Sequence, residues 1–271
     1  MTQRLGIELL TVFGLPPVEH VTLAADLGCG HISTGLTALP WKLDGFPQWS
    51  LRDDAQLRRE MTAAMRERGV SIAIAEGFNI RPGGDVRDQA PDLDLAAELG
   101  ALRANTICME PDLARARDQL ATLAELTASR GMGLTLEFAP PHTINTLQMA
   151  LSAVREAGKP NVSLVIDAMH FFRSGGSVEE LAQLDPQLIG HVQLCDVPLV
   201  PPHDDYFREA CFDRKIPGEG ELPLREFVGV LPRDAAIGLE VPMQSRLLAG
   251  EDLAGLVKHI VQRSTALLEG S

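Results

Sequence analysis

Short apolar runs alternate with longer amphipathic stretches along the chain. Eight runs read as strands: Leu5–Thr11, His31–Thr37, Val70–Phe78, Asn105–Glu110, Gly133–Ala139, Val162–Ala168, His191–Val197 and Ile237–Val241. Several, such as VSLVID and IGLEVP, are apolar almost throughout, the pattern of parallel strands covered on both faces. The stretches between them read as helices. Residues 52–69 carry acids early, bases late and a closing Gly69, as helix ends prefer. Residues 112–131 follow Pro111 and end on Arg-Gly, and 245–268 read as one amphipathic helix closing the chain. Strand then helix, repeated eight times without a break in composition, predicts a single (β/α)₈ TIM barrel over residues 1–271.

An open doubly wound sheet would want a glycine-rich turn after the first strand, but the chain there reads LTVFGLPP. The close pairs GCG at 28–30 and GEG at 218–220 do not open a helix after a strand and read as turns. Segments 38–50, 79–90 and 198–222 exceed a minimal connection, and in a barrel the first and third sit over the active face. The Pro-rich start of 198–216, with Tyr206 and Phe207, reads as an ordered lid.

Composition narrows the function more than the fold. The hydrophobic fraction of 45% supports a core, and at 4% aromatic that core is mostly aliphatic. A formal net charge of −13 weakens attraction to phosphate backbones and anionic lipid, which argues against nucleic-acid and membrane partners and leaves a small-molecule substrate. The four cysteines, at 29, 108, 195 and 211, form no CxxC pair and read as reduced thiols. No signal-peptide pattern opens the chain and no apolar run approaches a membrane span, so a cytoplasmic location is expected.

Four consecutive late strands, LTLEFAP, LVIDAMH, HVQLCDV and GLEVP, set a polar side chain in or at the end of an apolar run: Glu137, Asp167, Gln193 and Glu240. A buried carboxylate needs a cation, a donor or a proton. Three acids and an amide converging on a barrel mouth would repel one another, and a divalent metal resolves the conflict. An all-oxygen set suits Mn²⁺ or Mg²⁺ best, with Co²⁺ or Zn²⁺ as alternatives. Each acid taken alone could instead cap a helix or pair with a base.

At LEF 136–138, IDAMH 166–170, IGHVQLCDVP 189–198, RKIPGEGEL 214–222 and GLEVP 238–242 the chain resembles the xylose isomerase-like barrel superfamily, which holds sugar isomerases, 3-epimerases and endonuclease IV. The resemblance spans nearly the whole chain and implies that Glu137, Asp167, Gln193 and Glu240 are the metal ligands. The family strand often reads HxH with its second position on the metal. Here that position is Gln193, as in the hydroxypyruvate isomerase-like branch, and His191 becomes a neighbour. His170 matches a histidine that contacts substrate oxygen, and Arg214 matches a basic residue over the substrate. Glu8, Glu76 and Glu110 are further candidates for the pocket wall. With 7 histidines, several on expected helices or loops, the chain lacks the ligand richness of a three-zinc endonuclease.

The resemblance implies an isomerase or epimerase acting on a small hydroxy-carbonyl through an enediolate, with Glu137 and Glu240 removing and returning the proton. It also implies a dimer or tetramer. A dehydratase of the 3-dehydroshikimate type is the alternative within the superfamily. Outside it stand a barrel that binds a ligand without turnover and a metal-free barrel whose four positions meet Arg or Lys ends.

Overall fold

The structure is a computed structural model that describes residues 4–41, 45–202 and 204–270. Eight parallel strands run in sequence order around a closed barrel: β1 (Leu5–Ile7), β2 (His31–Thr34), β3 (Ser71–Ile80), β4 (Arg103–Cys108), β5 (Gly133–Glu137), β6 (Val162–Asp167), β7 (Ile189–Leu194) and β8 (Ile237–Leu239). The pairing of Leu5 with Ile237, Gly6 with Gly238 and Ile7 with Leu239 closes the ring. This is the expected (β/α)₈ barrel, with all eight expected strands in place.

The edges of the strands differ in two informative places. β1 stops at Ile7 because Leu9–Val12 tighten into a 3₁₀ turn closed by Phe13 at φ 50°. β8 stops at Leu239. Glu8 and Glu240 therefore stand just past the last paired residue of their strands.

Helices fill the connections: α1 (Pro17–Asp26), α2 (Ala55–Arg68), α3 (Ala90–Glu98), α4 (Leu113–Ala128), α5 (Leu147–Ala157), α6 (Ala168–Arg173), α7 (Val178–Ala182), α8 (Tyr206–Phe212), α9 (Leu224–Gly229), α10 (Gln244–Leu248) and α11 (Leu253–Glu269). Their ends follow side-chain chemistry. Asp54 and Asp112 each accept two backbone N–H groups at the starts of α2 and α4, and Gly69 ends α2 at φ 69°. The single C-terminal helix expected over 245–268 is two helices. Gly250 turns the chain at φ 91°, and Asp252 caps a new start through Gly255 N–H. Among the described residues no helix is long and apolar enough to cross a membrane.

The strands are less uniformly apolar than they read. In β5 and β6 the buried Leu134, Leu136, Leu164 and Ile166 alternate with Thr135, Glu137, Ser163 and Asp167. The first set meets the helices and the second faces the barrel axis, as the period of two requires. Glycines on neighbouring strands make room for the large polar members of the inner set. A Cβ on Gly6 would overlap the His31 ring, and one on Gly238 would overlap the Glu8 carboxylate.

Candidate active site

A cavity of about 430 Å³ opens among residues that follow the C-terminal ends of the strands, where barrels of this class carry their chemistry. Leu39, Pro40 and Trp41 line one side, from the segment tied by the backbone bond of Ala38 N–H to Trp49 O. Phe78 and Ile107 line another, and α8 contributes Tyr206 and Phe207. The Trp41 ring lies 4.9 Å from that of Phe212 and 5.8 Å from that of Phe207, centroid to centroid. The segments 38–50 and 198–222 thus both border the cavity, as expected of the two long connections. Arg173 holds the second in place by donating to the carbonyls of Pro198 and Leu199 and to Glu209 on α8. His203 and residues 42–44 lie outside the described residues.

The polar floor is built from the inner set. Glu137 ends β5, and Asn105 of β4 donates to its Oε2 at 2.6 Å while also reaching Glu76 at 3.1 Å. Its Oε1 faces His170 Nε2 at 3.4 Å. The other ring nitrogen of His170 meets the Tyr206 hydroxyl at 2.6 Å. Asp167 ends β6 and caps α6, accepting His170 N–H on Oδ1 at 2.8 Å. Its Oδ2 takes the Arg214 guanidinium at 2.6 Å, and the same guanidinium reaches Glu240 Oε2 at 2.9 Å. Gln193 Nε2 donates to Glu240 Oε1 at 3.2 Å, which leaves Gln193 Oε1 buried with no donor.

Burial alone would raise every one of these carboxyls, and their partners separate them. His170 and Asn105 outweigh burial at Glu137 and hold it below the usual carboxylate range. Arg214 and His170 do the same for Asp167. Glu240 goes well above that range, because burial, with Asp167 and Glu137 close by, exceeds the pull of Arg214. Glu76 also goes well above it, through burial and the Glu137 charge. The Arg214 guanidinium, though buried, is held charged by Asp167 and Glu240.

Six of the eight expected site residues thus gather at one place: Glu137, Asp167, Gln193, Glu240, His170 and Arg214. Glu8 and His191 stand elsewhere. Both side chains are 0% exposed, and they pair with each other at 2.8 Å beneath the cavity and outside its wall. His31 packs its ring edge to face with that of His191. Of the further candidates, Glu76 lines the cavity, whereas Glu110 accepts N–H groups from Gly83 and Asp112 and pairs with Arg115 away from it.

Charge and donor type in this floor fit a divalent cation. Glu8, Glu76, Glu137, Asp167 and Glu240 gather in or under it with Arg214, the one arginine among the described residues of the lining, and the unpartnered Gln193 oxygen is an acceptor in want of a positive group. As arranged, no three His, Cys, Asp or Glu side chains among the described residues stand together as metal ligands. Arg214 spans Asp167 and Glu240, while Asn105 and His170 hold Glu137. The metal-free alternative called for Arg or Lys ends at all four positions; Arg214 meets that at two.

The sequence profile of the xylose isomerase-like TIM barrel family matches residues 21–259. The chain belongs to this family. Among curated relatives, the xylose isomerase-like barrel described here is 31% identical over 114 residues to an inosose isomerase of Bacillus velezensis, a match covering 41% of this chain and 39% of that protein. It is 32% identical over 112 residues to a 3-dehydroshikimate dehydratase of Pseudomonas aeruginosa, covering 41% of this chain and 17% of that protein. The matched stretch is thus about two fifths of the inosose isomerase and less of the dehydratase. Among solved structures, a zinc-bound IolI protein superposes with a TM-score of 0.80 at 16% identity, covering 98% of both chains. A xylose isomerase domain protein of Salmonella typhimurium superposes at 0.79 and 17% identity, covering 99% of this chain and 98% of that one. Identities this low speak for the shared barrel alone.

Three residues in or beside this xylose isomerase-like site have roles that the sequence does not show. Asn105 reads as the start of a strand, and only the inner face of β4 shows it between two acids. Tyr206 was legible as part of the lid but not as the partner of His170. Asp196 sits in an ordinary-looking CDVP turn, yet its carboxylate accepts the N–H groups of Val197, Gly218 and Leu222 and so gathers the PGEG turn around itself.

Proposed function

We propose that the protein is a divalent-metal-dependent isomerase or epimerase acting on a small hydroxy-carbonyl substrate through an enediolate. One observation carries this reading: Glu137 and Glu240 face the same cavity from β5 and β8, separated by the strands that bear Asp167 and Gln193. Glu137, Asp167, Gln193 and Glu240 are the residues that would hold the ion, which would supply stabilisation of negative charge developing on the substrate's carbonyl oxygen. The zinc in the IolI structure supports a metal, and the inosose isomerase match supports the reaction class.

The side chains divide the remaining work. Glu137 is the carboxylate best prepared to take a proton: it is held ionised, bears no arginine, and turns Oε1 toward His170 at 3.4 Å. Glu240 is tied to Arg214 and Gln193, and stands where a proton can be returned from the other side of the floor. Return to the neighbouring carbon gives isomerisation; return to the opposite face of the same carbon gives epimerisation. His170, backed by Tyr206, orients a substrate oxygen, and the apolar walls exclude water from the carbanionic stage. A cavity of about 430 Å³ suits a small molecule.

The test is exchange of substrate protons with solvent. Chelator-stripped protein is reloaded with Mn²⁺, Mg²⁺, Co²⁺ or Zn²⁺ and incubated in D₂O with an inosose, a ketose and 3-dehydroshikimate, followed by proton NMR. Metal-dependent loss of the signal next to the carbonyl, slowed by roughly 10²–10⁴-fold in Glu137→Gln, is the expected result. Exchange that is indifferent to metal, or unchanged in that variant, overturns the reading. The dehydratase match favours one alternative, elimination of water from 3-dehydroshikimate, which the same spectra detect as a new product.

A further inference from the structure

We infer that Arg214 is a resident counter-ion that opposes metal loading, holding Asp167 and Glu240 in place without metal and competing with a divalent ion for both. The inference rests on the metal-site reading above. Its basis is how completely the guanidinium is used. Nη1 donates to Asp167 Oδ2 at 2.6 Å and reaches Cys195 Sγ at 3.3 Å; Nη2 meets Glu240 Oε2 at 2.9 Å; Nε donates to Ala210 O at 2.8 Å. The side chain is 1% exposed. The other oxygens of the two acids are also engaged, Asp167 Oδ1 by His170 N–H and Glu240 Oε1 by Gln193 Nε2. Every oxygen of Asp167 and Glu240 therefore has a donor already.

Nor is Arg214 on a loose tip that could swing aside. Its N–H donates to Pro242 O at 2.9 Å, and next to it Lys215 and Asp196 exchange backbone bonds at 2.8 and 2.9 Å. Asp196 in turn gathers Gly218 and Leu222. The segment that presents the guanidinium is fixed to the ends of β7 and β8, so a metal must share these acids with Arg214. Two positive groups on the same pair of carboxylates repel each other strongly where water is excluded. The acids stay ordered without metal, and the ion binds more weakly than to the same acids alone.

The test uses chelator-stripped full-length protein and Mn²⁺ alone, read by the electron paramagnetic resonance signal of free Mn²⁺ and by melting temperature. Arg214→Gln should melt lower than the wild type when stripped, bind Mn²⁺ about tenfold more tightly or better, and gain more in melting temperature on loading. Arg214→Lys keeps the charge but cannot span both acids, and its affinity should fall between the two. Arg214→Gln that folds only when Mn²⁺ is added also supports the inference. Mn²⁺ affinity equal to or weaker than wild type in a folded Arg214→Gln overturns it, as does unchanged affinity in Arg214→Lys if Arg214→Gln does not fold at all. Mn²⁺ binding unaffected by Asp167→Asn and Glu137→Gln, or absent from wild type and both arginine variants, sinks the metal reading itself.

Discussion

Gly238→Ala is the most direct probe of how the barrel interior is filled beneath the cavity. Gly238 pairs with Gly6 of β1 and Gln193 of β7, and its φ is not in the left-handed region, so alanine meets no backbone penalty there. The cost is all contact: the new methyl would overlap Oε1 and Cδ of Glu8 and stand 2.8 Å from Cγ. Glu8 cannot step aside without leaving His191, to which the same oxygen is bound at 2.8 Å. Losing a charge-assisted bond costs roughly 1.5–3 kcal/mol, and forcing a methyl into a filled core costs roughly 1–3 kcal/mol. Gly238→Ala should therefore destabilise the fold by about 2.5–6 kcal/mol, a large share of a domain's net stability. Glu8→Ala removes the bond and the obstacle together, so alanine at 238 should cost little in that background. Urea unfolding of the two single variants and the double, followed by circular dichroism, measures the coupling. Additive effects, or a Gly238→Ala protein within about 1 kcal/mol of wild type, would refute the packing argument.

Two further outcomes follow from buried polar groups. His20 donates to Ile7 O at 3.0 Å from a site 1% exposed, and burial lowers its pKa to about 4. Between pH 6.5 and 4 the unfolded chain binds a proton there that the folded chain does not, so stability is full above pH 6.5, falls as the pH drops, and levels off near 4. The interval corresponds to roughly 3 kcal/mol, and it should vanish from the pH dependence of unfolding in His20→Phe; an unchanged dependence would remove the assignment. Asp196→Ala strips three N–H groups of their acceptor, with an expected loss of about 3 kcal/mol or more. Limited proteolysis should then cut within 198–216, and unaltered resistance would show that the carboxylate does not hold the loop.

The barrel is legible in the sequence because eight apolar runs separated by helical stretches admit few other solutions, and the period survives small errors at the edges. The break at Gly250 is not legible there, because the residues on either side still fit one amphipathic pattern. The acids of the floor were legible for a definite reason. Glu137 and Asp167 put a carboxylate at the end of mostly apolar runs, LTLEF and VSLVID, and such a charge is costly to bury unless something converges on it. Asn105 and Asp196 carried no such signal, since amides and acids beside strand ends and turns are ordinary.

What the chain by itself determined, then, is the strand and helix order and the inward parity that puts Glu137, Asp167, Gln193 and Glu240 at one mouth. Both depend on local periodicity and on neighbours in sequence. The partners of those groups belong to the tertiary structure alone. Arg214 reaches Asp167 across 47 positions, and Glu8 reaches His191 across 183. Closing the ring between β1 and β8 brings the first and last strands together, and no local pattern records which side chains will then meet. Glu8 and His191 went beneath the cavity instead of into its wall because Gly238 leaves room there for a carboxylate, and that space exists only once the barrel has closed.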